Sequence, residues 1–180
     1  TPSSPITFRG YPGDSLPIIQ GDYSASPPRI AVSLGGVSNL VFDSLEITNG
    51  YLGIVFRDNE EQNITIKNSN IHDNNGNTGG NNHGGIIFRF TRPSVVKNVI
   101  IENNIIHHNI DPSSFLNTAG IDVYGVTNLT IRNNIIHDSI GGIFFKGSIF
   151  NDHNIIGASI TNNTIYNVWQ GIHFIGGKNV

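Results

Sequence analysis

Two arginines, a tyrosine and a lysine occupy the same place in successive copies of a Gly-Ile-x-Phe-like segment. They are Arg57, Arg89, Tyr124 and Lys146. If the copies stack at strand spacing, these side chains form a column about 5 Å apart, which is near the repeat of an extended sugar chain. Arginine binds carboxylates and sulfates through paired hydrogen bonds. The column predicts either a surface for an acidic polymer or a solvated strand face.

The neighbouring column is apolar except for Asp122 and His173. β-Elimination at a uronic acid needs a base for the C5 proton, a cation for the carboxylate and a donor for the leaving oxygen. The candidate bases are Lys146, Tyr124 and His173, and Arg89 is the candidate cation. Catalysis stays open at this point.

A calcium ion is the one cofactor that these residues suggest. Asp122, helped by Asp111, could contribute to such a site, although calcium usually takes six or more oxygen ligands. A polar insertion over residues 73–85 ends near the Arg89 segment and brings His83 toward the same face. The predicted substrate-binding residues are Arg57, Arg89, Lys146 and His83.

Three histidines recur at one position of another repeated segment, and a tyrosine takes the fourth place. They are His72, His107 and His137, followed by Tyr166. Converging imidazoles would bind a transition metal, whereas rings one strand spacing apart lie parallel and stack. The spacing favours a polar ring stack over a metal site.

These positions belong to repeats of roughly 24 to 35 residues, which is the signature of a solenoid. Each repeat reads as an Asn, alternating apolar residues, an Asn pair and a short apolar segment. Alternation with period two indicates a half-buried strand, and paired asparagines bend the chain. We therefore predict an all-β fold, a parallel β-helix solenoid of about five to six coils with three short strands per coil.

Two inward stacks should form the core, and asparagines should stack at the bends. The first stack contains Ile54, Ile86, Ile121, Ile143 and Ile172, and the second contains Phe56, Phe88, Val123, Phe145 and Phe174. The first residues of the bends are Ser44, Asn68, Asn103, Asn133 and Asn162, and we expect their amides to form an axial hydrogen-bonded ladder.

Composition limits the function classes. The chain has 180 residues, a net charge of −3 and no cysteine, so neither a basic field for nucleic acid nor a disulfide is expected. No apolar run is long enough to span a membrane. Sequons make Asn63, Asn128 and Asn162 candidate glycosylation sites. We expect one β-helix domain over 1–180, either part of a longer solenoid or capped by neighbouring subunits.

The rungs resemble the right-handed parallel β-helix proteins of the pectate-lyase-like superfamily, which include bacterial polysaccharide lyases such as chondroitinase B and the alginate lyases. The opening segment over residues 5–21 is similar to an early coil of those lyases. The resemblance implies a right-handed β-helix, secreted or at the cell surface, that binds an acidic polysaccharide and, if catalytic, cleaves it by β-elimination. The alternative is a structural solenoid whose copies associate end to end as a filament, stalk or surface layer.

Overall fold

The structure, a computed structural model, describes residues 4–76, 83–89, 91–93, 95–111, 117–147 and 154–175. Residues 77–82 of the predicted insertion lie outside this part of the chain. The strands of the described residues are β1 Ile6–Arg9, β2 Ile18–Gln20, β3 Val32–Leu34, β4 Ser38–Asp43, β5 Glu46–Thr48, β6 Ile54–Phe56, β7 Gln62–Lys67, β8 Asn70–His72, β9 His83–Phe88, β10 Lys97–Glu102, β11 Ile105–His107, β12 Thr118–Val123, β13 Val126–Arg132, β14 Ile135–His137, β15 Gly141–Phe145, β16 Ile155–Ile156, β17 Ser159–Thr161, β18 Thr164–Tyr166 and β19 Gln170–Phe174.

These strands form three parallel sheets, and each coil contributes one strand to each sheet. Sheet 1 has the order β1-β4-β7-β10-β13-β16, with β17 also paired to β13. Sheet 2 contains β2, β5, β8, β11, β14 and β18, and sheet 3 contains β3, β6, β9, β12, β15 and β19. The predicted parallel β-helix with three strands per coil is confirmed. Among the described residues there is no helix with the length and apolar character needed to cross a membrane.

The predicted apolar stacks lie in the interior together with apolar residues of sheets 1 and 2. Their last members, Ile172 and Phe174, are exposed on the last described coil, so the prediction was wrong for these two. Ile54 pairs in register with Ile86, and both are fully buried. The rings of Phe56 and Phe88 stack with centroids 4.3 Å apart and an interplanar angle of 5°. Parallel pairing in register places equivalent side chains above one another, so each coil buries the apolar face of the next.

Asparagine acts differently at the two positions of each bend. The first residue adopts the left-handed conformation, with φ of 52° at Asn68 and 56° at Asn133. The axial ladder, however, runs through the second residue: the buried Asn104 donates from Nδ2 to Oδ1 of Asn134 at 3.0 Å. The expectation that the first residues form this ladder was wrong, because the left-handed residue turns the following side chain inward.

The glycine of the Gly-Ile-x-Phe segment is required by close contact between coils. A Cβ built on Gly53 would lie 2.3 Å from the carbonyl oxygen of Gly85, and one on Gly142 would lie 2.3 Å from that of Gly171. Any larger residue would push two coils apart. The glycine therefore allows the short distance between successive coils at the start of the sheet 3 strands.

Candidate functional site at the end of sheet 3

The predicted column follows the last residue of each sheet 3 strand. Phe56 pairs with Phe88, and Val123 pairs with Phe145, so the residues that follow them lie at one edge of the sheet. They are Arg57, Arg89, Tyr124, Lys146 and Ile175. Their exposure differs: Arg57 is exposed, Arg89 and Tyr124 are half-buried, and Lys146 is buried.

The backbone of Arg57 is fixed in a turn, and its guanidinium group lies at the surface. Its Nε donates to Oγ of Ser33 at 3.1 Å. The buried carboxylate of Glu61 accepts from the backbone N–H of Arg57 at 3.1 Å and from that of Asn59 at 3.0 Å, which fixes the turn. Within the described part of the chain, neither Arg57 nor Arg89 forms an ion pair. Both guanidinium groups therefore retain the capacity to bind an anion.

Lys146 belongs to a buried polar group. Its Nζ lies 2.9 Å from Oδ2 of Asp122 and 3.2 Å from Oδ1 of Asn117. The same Nζ lies 5.7 Å from the ring centroid of Tyr124 and 5.4 Å from that of Phe144. Burial raises the pKa of Asp122 to about 6, although the Lys146 ammonium opposes the shift.

One expectation for this region changes as a result. Lys146 was expected to face solvent with the arginines; that was wrong, because its side chain extends back over Asp122, whose register partner is Phe144. A surface-bound polymer would therefore meet Arg57, Arg89 and Tyr124 rather than Lys146. His173 lies on the far side of Phe144 from Asp122 and packs edge-on against that ring at 5.3 Å.

His83 forms a second buried pair. Its Nδ1 contacts Oδ2 of Asp111, and both side chains are fully buried. The ring packs edge-on against Tyr51, with centroids 4.7 Å apart. Burial lowers the pKa of His83, although the Asp111 carboxylate opposes the shift. The expectation that His83 reaches an open groove was wrong.

The predicted calcium ligands are separated. Asp122 pairs with Lys146, whereas Asp111 pairs with His83. The part of the chain that the structure describes contains no group of three or more histidine, aspartate or glutamate side chains placed to hold a metal ion. A calcium ion needs several converging oxygens, so these two carboxylates do not fit one.

The histidines of sheet 2 form the predicted ring stack. His107 lies parallel to His72 and to His137, each at 4.9 Å, and His137 stacks on Tyr166 at 4.8 Å. Burial and the neighbouring histidines lower the pKa of His107 to about 4. The rings lie face to face and do not converge on one point, so they form a stack along sheet 2 and not a metal site.

The three sequons differ in the state of their amide. Asn63 and Asn128 belong to an exposed ladder, in which Asn63 donates from Nδ2 to Asn39 at 2.9 Å and Asn128 donates from Nδ2 to Asn98 at 3.0 Å. A glycan is attached at this nitrogen, so glycosylation at either site would replace a ladder hydrogen bond. Asn162 is exposed at a left-handed position of the last bend. Glycosylation stays a prediction.

Sheet 1 carries a charged column that sequence reasoning missed. The register aligns Asp43, Lys67, Glu102 and Arg132, preceded by Arg9. Lys67 Nζ lies 3.6 Å from Asp43, and Nη2 of Arg132 lies 2.6 Å from Glu102. Signs alternate along the axis, so each charge faces an opposite one. The alternation was visible in the repeats once their last strand residues were aligned.

Comparison with protein families assigns the chain to one family. The family model described as right-handed beta helix region matches residues 23–180. The chain belongs to the right-handed beta helix family. No curated protein and no solved structure matches the chain. As a family member the chain has the expected fold, and the specific likeness to polysaccharide lyases stays a prediction.

Proposed function

We propose that this right-handed beta helix protein binds an acidic polysaccharide through the edge of sheet 3, outside the cell or at its surface. The observation that carries the proposal is the pair Arg57 and Arg89. These residues occupy adjacent coils, and neither forms an ion pair among the described residues. The backbones of the two arginines lie one strand spacing apart, about 5 Å, which is near the spacing of successive carboxylates or sulfates on an extended chain. Tyr124, half-buried on the next coil, offers a ring for sugar packing.

Polymer binding is tested by calorimetry with polygalacturonate, alginate and chondroitin sulfate, and with neutral dextran as the reference polymer. The double variant Arg57→Gln with Arg89→Gln should weaken binding at least tenfold, because each charge-assisted contact contributes about 1 kcal/mol. The matched control is Arg132→Gln with Arg92→Gln, which removes the same charge from arginines already paired with Glu102 and Asp58. Equal weakening by both double variants, or no binding to any acidic polymer, would contradict the proposal.

Cleavage of the polymer can be measured separately in the same samples. β-Elimination at a uronate produces an unsaturated sugar that absorbs near about 230 nm. Within the proposed surface, Arg89 is the candidate cation for the carboxylate and the Tyr124 hydroxyl is the candidate base. If absorbance develops, Tyr124→Phe should remove it without weakening binding more than threefold. Binding without absorbance would leave a binding protein.

A structural role is the second candidate, and the axial ladders favour it. Hydrogen bonds run from Ser69 through Asn104 and Asn134 to Asn163, and each joins two successive coils. Such ladders suit a stalk or filament formed by end-to-end association of copies. Continuous fibres in negative-stain images, with no affinity for acidic polymers, would support this alternative over polysaccharide binding.

A further inference from the structure

Lys146, Asp122 and Asn117 form a group whose chemistry the proposed binding surface does not use. The Lys146 amine contacts both partners, 2.9 Å from the Asp122 carboxylate and 3.2 Å from the Asn117 side-chain oxygen. Lys146 is 6% exposed and Asp122 is fully buried. An acyl transfer needs a nucleophile, an acyl group and a group that transfers protons. The buried amine, the amide and the neighbouring carboxyl group can fill these three roles.

We propose that Lys146 and Asn117 become joined by an amide bond between their side chains, with Asp122 transferring the protons. Lys146 Nζ first gives a proton to Asp122, which yields a neutral amine and a neutral carboxylic acid. The amine then attacks Cγ of Asn117 and forms a C–N bond. The Asp122 carboxyl group protonates the leaving nitrogen, the original C–N bond of the amide breaks, and ammonia departs. The carboxyl group recovers its proton from the new linkage nitrogen, so one ammonia is lost and no oxidant is needed.

Burial favours the first step. Low dielectric surroundings disfavour both an ammonium and a carboxylate, so the neutral pair is more accessible here than in water. The raised pKa of Asp122, about 6, follows from the same burial. The Phe144 and Tyr124 rings, within 6 Å of the amine, restrict the approach of water.

Position favours the second step. Nζ donates to Oδ1 of Asn117 at 3.2 Å, so the amine is in contact with the side-chain amide whose Cγ is the electrophile, and holding the two groups together makes the reaction intramolecular. The pairing of β12 with β15, from Ala119 and Gly141 to Val123 and Phe145, keeps the two strands in fixed register. Asn117 precedes β12 and Lys146 follows β15, so the link would join two successive coils.

Sheet 1 offers a more exposed trio of the same residue types as a control. Lys67 lies 3.6 Å from Asp43, which also accepts a hydrogen bond from Asn68 Nδ2 at 2.8 Å. The Lys67 side chain is 32% exposed, so its amine is in contact with water and lacks the buried surroundings of Lys146. The link is therefore expected at Lys146 and not at Lys67.

Intact-mass measurement of the purified, folded chain tests the proposal. The mass should be lower than that of the sequence by one ammonia, about 17 Da. Trypsin should not cleave after Lys146, and tandem spectra should show the peptide with Asn117 attached to the peptide with Lys146. Lys146→Arg and Asn117→Ala should restore the full mass, and Asp122→Asn should reduce the linked fraction at least tenfold at a fixed time. Lys67→Arg should keep the mass loss.

Two results would overturn the link. One is a full mass in folded protein after prolonged incubation, with circular dichroism confirming the fold. The other is a mass loss that persists in Lys146→Arg, which would place the lost ammonia elsewhere, for example at Asn75-Gly76. Both readings come from the wild-type chain or from a conservative variant, so they hold even if Asp122→Asn does not fold. They are also independent of polysaccharide binding, which does not involve Lys146.

Discussion

The side-chain amide of Asn104 donates to Oδ1 of Asn134 at 3.0 Å inside the coil stack. The same oxygen accepts the backbone N–H of Asn104 at 3.0 Å. Asn134 in turn donates to the Ile101 carbonyl and to Oδ1 of Asn163, each at 2.9 Å. The Asn134 side chain thus satisfies polar groups of the coil before it and the coil after it, and the ladder is part of the core.

Asn134→Ala should lower the free energy of unfolding by about 3 kcal/mol, because it leaves buried donors of Asn104 without an acceptor. Urea denaturation followed by circular dichroism measures the loss. The control is Asn128→Gly, which removes a hydrogen bond of the exposed ladder and tolerates the left-handed φ of 58°. It should cost less than about 1 kcal/mol. Similar losses in both variants would mean that burial of the ladder contributes nothing.

Gly142→Ala should destabilise the chain by about 2 kcal/mol or more, because its Cβ would lie 2.3 Å from the Gly171 carbonyl oxygen and 2.7 Å from Ile165. Gly171→Ala is the matched control, since nothing lies within 4 Å of a Cβ built there. We expect a change below about 0.5 kcal/mol in the control. Thermal unfolding of both variants decides the prediction, and equal midpoints would show that coil height is not set by this glycine.

The fold could be predicted from the repeats because the coils stack in register. Residues at equivalent positions of successive repeats therefore lie above one another. Ile54 and Ile86 could be paired from their motif alone, and their burial follows from period two. Lys146 could not be placed in this way. Its column is defined by the motif, but the direction of its side chain depends on Asp122 of the preceding coil. Packing across the outer face, unlike register, leaves no periodic signal.

His107 should make the fold sensitive to acid. Its folded pKa of about 4 lies below the usual value of 6.5, so the unfolded chain binds the proton more readily. The contribution to stability is complete above about pH 6.5 and is lost as pH falls toward 4. His107→Tyr keeps the ring stack, as Tyr166 does on His137. The variant should lose about 1 kcal/mol less than the wild type between pH 7 and pH 5 in urea unfolding. Parallel pH profiles would contradict the prediction.

The contribution of the buried Lys146–Asp122 pair to the free energy of unfolding should depend on pH. It is best measured in an Asn117→Ala background, which cannot form the proposed link. The folded pKa of Asp122, about 6, lies above its usual 3.8, so the folded state holds the proton more tightly and stability falls as pH rises from about 4 through 6. Lys146→Met removes the cation and leaves the carboxylate buried alone. It should cost about 3 kcal/mol at pH 8 and markedly less at pH 4.5, where Asp122 is protonated in the fold. Adding Asp122→Asn to Lys146→Met should remove this pH dependence. A Lys146→Met cost that is the same at both pH values would show that Asp122 is not the titrating partner.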